Sequence, residues 1–293
     1  MANRLPRSRT LKGEPKLVYY EKGDGRPGET PLVLVHGATL RSEDWENIHP
    51  RLATRYRVIA YDQRGHGKSG RAADYSLAAL ADDLLRVLRE LAKVPAIVIA
   101  HSLGGAVAVV AAAREPGLVR GLVLEDPYLG AYGTGWRDDF YAGLRRAMDK
   151  VAEPAAFKSA VSALPLPVAG PHGERTAGEV RGFYAPDRLV TYYAPLDPAF
   201  IEAFRAQAQD ARGVALLRES IAALTVPVLL LVADPKQGSA LLDGEADALA
   251  KRWGATVVRF PGVGHRIHGT RPEPFLEPLE PFLRTHRTHR TLP

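Results

Sequence analysis

Apolar positions along this chain follow two rhythms. Contiguous apolar runs recur at residues 31–36 (PLVLVH), 57–61 (RVIAY), 96–100 (AIVIA), 118–124, 224–233 (LTVPVLLLVA) and 256–260 (TVVRF). Runs without polar alternation predict strands buried on both faces. A shorter strand, LVYYE at 17–21, closes in the turn KGDG. Between the runs the spacing changes to three and four. Leu77, Leu80, Leu84, Leu88 and Leu91 follow Ser76, a good N-cap, and the connection ends at Pro95. GGAVAVVAAA, which follows Leu103, predicts a second helix, and residues 242–253 a third, with Asp243 as cap and Gly254 as stop. Alternation of strand and helix predicts a parallel α/β sheet. Residues 127–212 have another texture, without strand runs and with helical segments over 136–151 and 198–211. The stretch between those segments at 164–178, LPLPVAGPHGERTAG, is too rich in Pro and Gly for regular structure. In the last helical segment Pro274, Pro278 and Pro281 predict a helix broken into pieces.

Composition narrows the class. A hydrophobic share of 46% over 293 residues supplies a full core for one large α/β domain, with or without an insertion. The absence of cysteine rules out disulfides, thiolate metal sites and a cysteine nucleophile. The net charge of +6 sits at the ends: residues 1–16 carry five basic side chains against one Glu, and residues 284–293 carry three Arg. The body between is nearly neutral, and the ends lack interleaved aromatics. They read as flexible solvated tails, with no nucleic-acid partner expected. His101 and Ser102 interrupt the longest apolar window, and no apolar segment follows the N-terminal charges. A cytoplasmic protein with no membrane partner is expected.

The chemistry-bearing stretch is AIVIAHSLGG, residues 96–105. A strand running into a helix through a sharp turn would place Ser102 at the apex, exposed and strained. The Leu103 N–H in the helix's first turn could receive an oxyanion there. The pattern is G-x-S-x-G with Ala100 in place of the first glycine, which keeps a small residue in a crowded turn. The bland alternative is a buried turn serine. HGAT at 36–39 ends another strand, where Gly37 lets the backbone swing close to a ligand and the Ala38 N–H could be a second oxyanion donor. The loop DQRGHGKSG, 62–70, has glycines and polar groups suited to a self-bonded turn with His66 as a brace. It is not a phosphate loop, because that spacing needs glycine where Asp62 stands. His265, in PGVGH after the last strand, is the candidate base; His36, His101 and His172 lack comparable context, and His268 is at most a neighbour.

The order strand-HG-x-x, strand-D-x-x-G-H-G-x-S, strand-A-H-S-L-G-G resembles the α/β-hydrolase superfamily, closely over residues 17–126 and by pattern over 224–268. The resemblance implies an eight-stranded, mostly parallel sheet with helices on both faces and a helical cap insertion. It divides the chain into a core (17–126 and 213–283), a cap (127–212) and two tails (1–16 and 284–293). The family most often places the triad acid after the seventh strand, where Asp234 stands about two residues early; a minority, including zearalenone-type lactonases, places it after the sixth, where Asp126 stands. Asp234 is favoured, with Asp126 as the alternative, and either could instead cap its own turn. The cap region holds 12 of the chain's 22 aromatic residues. Most would pack the cap itself, but Trp136, Phe140, Tyr184 and Tyr192 are candidates for binding a bulky apolar substrate.

The implied function is hydrolysis of a carboxylic ester or lactone through an acyl-enzyme. The alternatives are a carbon–carbon bond hydrolase of ring-cleavage products, a cofactor-free perhydrolase or haloperoxidase, and a non-catalytic small-molecule binder. Relatives of the perhydrolase type usually carry Pro in the oxyanion loop, where this chain has Ala38-Thr39. A serine apex argues against carboxylate-nucleophile dehalogenases and epoxide hydrolases. No cofactor and no metal are expected.

Overall fold

The structure, a computed structural model, describes residues 5–25, 29–129, 138–167, 174–179, 186–207 and 210–286. Its centre is an eight-stranded sheet of β1 (Arg9–Leu11), β2 (Leu17–Lys22), β3 (Leu32–Val35), β4 (Val58–Tyr61), β5 (Ala96–His101), β6 (Val119–Glu125), β9 (Val228–Ala233) and β10 (Thr256–Phe260). The order is β1-β2-β4-β3-β5-β6-β9-β10. From β4 to β10 every neighbour is parallel, and β1 and β2 join antiparallel at one edge.

Why these runs become strands is visible in their side chains. Successive residues of a strand point to opposite faces. Val33, Val35, Ile59, Tyr61, Val98, Ala100, Leu230 and Val232 enter one apolar cluster. Their chain neighbours Leu32, Leu34, Val58, Ala60, Ile97, Ile99, Leu229 and Leu231 enter the other. Both clusters need cover, and helices on both faces provide it. On the first face lie α2 (Leu77–Val87), capped by Ser76 Oγ accepting the Ala79 N–H at 3.2 Å, then α3 (Leu103–Arg114) and α8 (Ala211–Ala223). Ten of the twelve α3 residues are buried, which explains its small, all-apolar sequence. On the second face lie Trp45, Ile48 and the C-terminal helix α11 (Pro272–His286).

Three expectations are corrected. Residues 9–11, placed in a flexible tail, form an edge strand paired with Leu17–Tyr19; the pairing is made by backbone, so RTL carries little apolar signal for it. The Pro-rich stretch contains a short hairpin, β7 (Pro165–Pro167) with β8 (Glu174–Thr176). The last helix is unbroken despite Pro278 and Pro281. Pro272 and Pro274 fall where N–H groups have no intrahelical acceptor. Phe275, Leu279 and Leu283, each at most 1% exposed, then hold the helix to the sheet. Such burial contributes about 2 kcal/mol per side chain, against about 3 kcal/mol for an interior proline.

The inserted region is helical, as expected: α4 (Asp138–Met148), α5 (Pro154–Ser162), α6 (Pro186–Tyr193) and α7 (Pro198–Gln207). It is tied to the 62–70 loop, where Asp62 accepts the N–H groups of Ser42 (2.8 Å) and Lys68 (2.9 Å). From that loop the Gly65 carbonyl accepts the Asp197 N–H at 2.8 Å. Tyr75 donates to the Asp197 carboxylate at 2.7 Å, and the Phe200 ring meets His66 edge-on at 4.2 Å. His66 donates Nδ1–H to the Arg64 carbonyl at 2.8 Å, the bracing role its loop suggested.

Candidate active site

The turn after β5 has the strained backbone its sequence predicts, but Ser102 is buried rather than exposed, covered by His265 and by Phe140, Tyr141 and Tyr193 of the inserted helices. Ser102 sits at φ 54°, ψ −120°, immediately before the first residue of α3. A non-glycine residue held there costs on the order of 1–3 kcal/mol. The surroundings offset it: Ser102 donates its N–H to the Glu125 carbonyl at 3.0 Å, while its own carbonyl accepts from Gly105 (2.9 Å) and Tyr128 (3.1 Å). Two glycines make room. A Cβ on Gly104 would lie 2.5 Å from the Val35 carbonyl oxygen, and one on Gly37 would lie 3.0 Å from Ser102 Cβ. The end of β3 therefore passes directly beneath the turn, which brings Ala38 beside Ser102. Thr39 (φ 62°) and Asp126 (φ 40°) are strained at the same end of the sheet.

His265 meets a carboxylate at 2.5 Å, Nδ1 to Oδ2, and the carboxylate is that of Asp126. Asp126 is fully buried and also accepts from Ser239 Oγ (2.6 Å) and the Ala240 N–H (2.7 Å). Burial alone would raise its pKa, but the hydrogen bonds from His265, Ser239 and Ala240 outweigh it and hold the group below the usual carboxylate range. With Nδ1–H donated to Asp126, the lone pair of His265 is on Nε2.

The preference for Asp234 is thereby corrected. One of its oxygens accepts the Lys236 N–H at 2.8 Å and the other the Gly262 N–H at 2.8 Å. Asp234 caps its own turn and tethers the loop ahead of His265, the structural role allowed for it by its Asp-Pro context.

Ser102 and His265 line one pocket, closed on the core side by Ala38, Thr39, Leu40 and His101 and on the cap side by Phe140, Tyr141 and Tyr193, with Arg266 at its wall. Its free volume is about 20 Å³, room for roughly one water molecule. Of the residues proposed to bind substrate, Phe140 is in the wall. Tyr192 is not among the lining residues; its buried ring faces the guanidinium groups of Arg41 (5.6 Å) and Arg188 (5.8 Å), and its neighbour Tyr193 lines the pocket instead. One helical step turns a side chain by about 100°, so Tyr192 marks the right turn of α6 but not its pocket-facing residue. Trp136 and Tyr184 lie outside the described residues. Ala38 and Leu103, the expected oxyanion donors, are placed at the pocket and at the first turn of α3. His101 was set aside for want of context, Thr39 was noted only as part of the oxyanion loop, and Leu40, Tyr141 and Arg266 were not singled out; adjacency to the HGAT, elbow and His265 motifs, and for Tyr141 to Phe140, was the available signal.

Among the described residues no group of three or more His, Asp or Glu side chains could hold a metal ion, and no helix is long and apolar enough to cross a membrane. A mostly parallel sheet with a strained serine on a strand-to-helix turn, and a His–Asp pair across the same strand ends, defines a class of α/β hydrolytic folds. A model of the alpha/beta hydrolase family matches residues 32–277, and the chain belongs to that family. Among curated relatives, 2-(acetamidomethylene)succinate hydrolase of Mesorhizobium japonicum is 32% identical over 274 residues, covering 90% of each chain. The solved E-2-(acetamidomethylene)succinate hydrolase structure is 25% identical with a TM-score of 0.62, covering 94% of this chain and 98% of that one. An N-acyl homoserine lactone degrading enzyme is similar in fold, at 23% identity and a TM-score of 0.68, covering 94% of this chain and all of that one.

Proposed function

We propose that the protein is a serine hydrolase acting on a carboxylic ester or lactone, with Ser102 as nucleophile, His265 as base and Asp126 as the acid behind it. The observation that carries this reading is the His265–Asp126 bond of 2.5 Å, with His265 in the same pocket as a serine on a strained turn. Ser102 Oγ attacks the substrate carbonyl while His265 Nε2 takes its proton. The negative charge of Asp126 stabilises the imidazolium that forms. The carbonyl oxygen becomes an oxyanion received by the N–H groups of Ala38 and Leu103, each such donor being worth about 3 kcal/mol in the transition state. Collapse expels the alcohol, protonated by His265, and leaves an acyl-Ser102. Water, deprotonated by the same ring, then attacks the ester and releases the acid.

Phe140, Tyr141 and Tyr193 on the cap side of the pocket support an apolar substrate group beside the serine. A second reading, hydrolysis of an acylamino compound, is supported by the 32% identical relative, whose name specifies an acetamido substrate. The two share the acyl-enzyme and differ in the leaving group. Covalent labelling by a fluorophosphonate, read by mass spectrometry, tests the mechanism: wild type should be modified at Ser102 and Ser102→Ala should not. An unlabelled, folded wild type would overturn it. Short-chain aryl esters, lactones and N-acetyl enamides assayed side by side separate the substrate readings.

A further inference from the structure

Beneath the pocket lies a buried polar cluster that the reaction above does not use. It joins Asp44, in the 3₁₀ turn Ser42–Asn47, to Glu125 at the end of β6 and to Arg266 and His268, which cap and begin the short helix Ile267–Thr270 that follows His265. His268 is fully buried. Its Nδ1 lies 2.6 Å from Glu125 Oε2 and its Nε2 3.1 Å from Asp44 Oδ2, while its backbone N–H donates to Glu125 Oε1 at 2.8 Å.

We propose that His268 is a positioning residue for His265: held as an imidazolium between Glu125 and Asp44, it locks the loop bearing His265 to the strand end bearing Asp126. This rests on His265 being the base of the reaction proposed above. Glu125 and Asp126 are consecutive, and they grip His268 and His265, which are three residues apart. The second His–carboxylate pair repeats the first on the inward side of the strand end.

The charge state follows from the partners. Nδ1–H donates to Glu125 Oε2, and the Nε2 edge lies 3.1 Å from Asp44 Oδ2, out of hydrogen-bond alignment but close enough for the carboxylate charge to favour the protonated ring. Protonating a carboxylate instead is disfavoured, because Asp44 also takes Arg266 Nε at 2.5 Å and Glu125 also takes the His268 N–H. Burial pulls the His268 pKa down, but Glu125 and Asp44 outweigh it and raise it to about 9. Trp45, from the Asp44 turn, stacks on the His268 ring at 4.1 Å, a face suited to a cation. Phe275 of α11 meets it edge-on at 5.9 Å. His101, from the end of β5, lies 5.5 Å away and is kept neutral by burial, with a pKa of about 4; its Nε2–H donates to the His265 carbonyl at 2.9 Å. Arg266 and His268 together balance Asp44 and Glu125. Tyr192 of α6 borders Asp44 from the cap, its pKa pushed up by burial and then by that carboxylate.

Imidazole ¹⁵N NMR of the wild type at pH 8 should show one histidine with hydrogen on both ring nitrogens, absent in His268→Gln. No such ring at pH 8 overturns the proposal. In folded His268→Gln, kcat should fall about 10- to 100-fold with KM nearly unchanged, as expected for a misplaced base. The variant leaves one uncompensated negative charge near the base, so the acid limb of its kcat/KM profile should move up by about one pH unit. A merely structural substitution would not move that limb. Glu125→Gln/His268→Gln restores charge balance and should bring the limb back. If His268→Gln does not fold, the double variant and the wild-type spectrum still decide. A folded His268→Gln with the wild-type limb and kcat overturns the inference. The His265 Nδ1–H proton bonded to Asp126, visible far downfield, should broaden in His268→Gln even if the serine fails to label, so the two proposals fail separately.

Discussion

Exchanging each candidate carboxylate for its amide discriminates between them, and the structure sets the size of the effect. Asp126 Oδ2 accepts both the Ala240 N–H and His265 Nδ1–H, whereas Oδ1 accepts from Ser239 Oγ and, at 3.4 Å, from the Ala233 N–H. In Asp126→Asn the amide oxygen can occupy the Oδ2 position and keep both donors. Its NH₂ can then donate to Ser239 Oγ, whose own proton has the Leu241 carbonyl at 2.7 Å, and only the long Ala233 N–H contact is lost. The productive tautomer of His265 thus survives, and what disappears is the negative charge beside the imidazolium. A unit charge about 4 Å away at an effective dielectric constant near 20 is worth about 4 kcal/mol, or roughly 10³ in rate. That is smaller than the roughly 10⁴ typical where the amide reverses the tautomer. Asp234→Asn, in contrast, gives up one of two turn hydrogen bonds, costing about 1 kcal/mol of stability and less than about threefold in kcat. Steady-state kcat on an aryl ester checks both, corrected for active-site concentration by fluorophosphonate titration. Asp126→Asn retaining more than about a tenth of wild-type kcat, or Asp234→Asn falling as far as Asp126→Asn, would refute the reasoning.

Three further outcomes are expected. Stability should peak near pH 6.5 and decline on both sides. The folded state keeps the His268 proton until about pH 9, whereas the unfolded chain releases it near 6.5. Its stabilisation, about 3 kcal/mol, is therefore complete below pH 6.5 and lost as pH rises through 9. Burial lowers His36, His49 and His101 to about 4, so the unfolded chain binds their protons first and stability falls as pH drops from 6.5 towards 4. Urea unfolding at pH 5, 6.5 and 9 reads both limbs. Gly104→Ala puts a methyl group 2.5 Å from the Val35 carbonyl oxygen and should cost about 3 kcal/mol, measured by thermal unfolding, with activity lost as the turn shifts. Phe275→Ala should cost about 3–5 kcal/mol, because the Pro-interrupted α11 depends on that anchor, and circular dichroism should show the lost helix.

What was legible in the chain follows from which interactions leave a local pattern. Strands buried on both faces read as apolar runs, and all six parallel strands were found within two residues of their ends, save the run that begins at 224 and enters the sheet only at Val228. The elbow was legible because small residues are required wherever backbone crosses backbone, as at Gly37 and Gly104. Edge strand β1 was not, since backbone pairing recruits RTL without asking for apolar side chains. The continuity of α11 was hidden by its prolines, although Phe275, Leu279 and Leu283 keep a four-residue rhythm through them. His268 was legible only as a neighbour of the site, because its partners are 143 and 224 residues distant in the chain.

The identity of the carboxylate behind His265 depends on how far the loop after β10 travels. That loop leaves the edge of the sheet and crosses the strand ends in order. At β9 it is tethered first, with the Asp234 N–H donating to the Val263 carbonyl at 2.8 Å and the Asp234 carboxylate accepting from Gly262. Two residues beyond Val263, His265 has reached the end of β6 and Asp126. Three residues further, His268 touches Glu125 and, on the other side of its ring, Asp44. Parallel neighbours are about 4.8 Å apart, and here the step from β9 to β6 takes two residues of loop. For Asp234 to serve the base, the histidine would have to stand near position 262, where glycine makes the turn at φ 72°. Strand register finishes the selection. His101 pairs with Glu125, so the residues that follow them, Ser102 and Asp126, emerge at the same height on adjacent strands. A loop long enough to bring a histidine to that serine therefore delivers it to the carboxylate of the neighbouring strand, one strand short of the serine and one beyond Asp234.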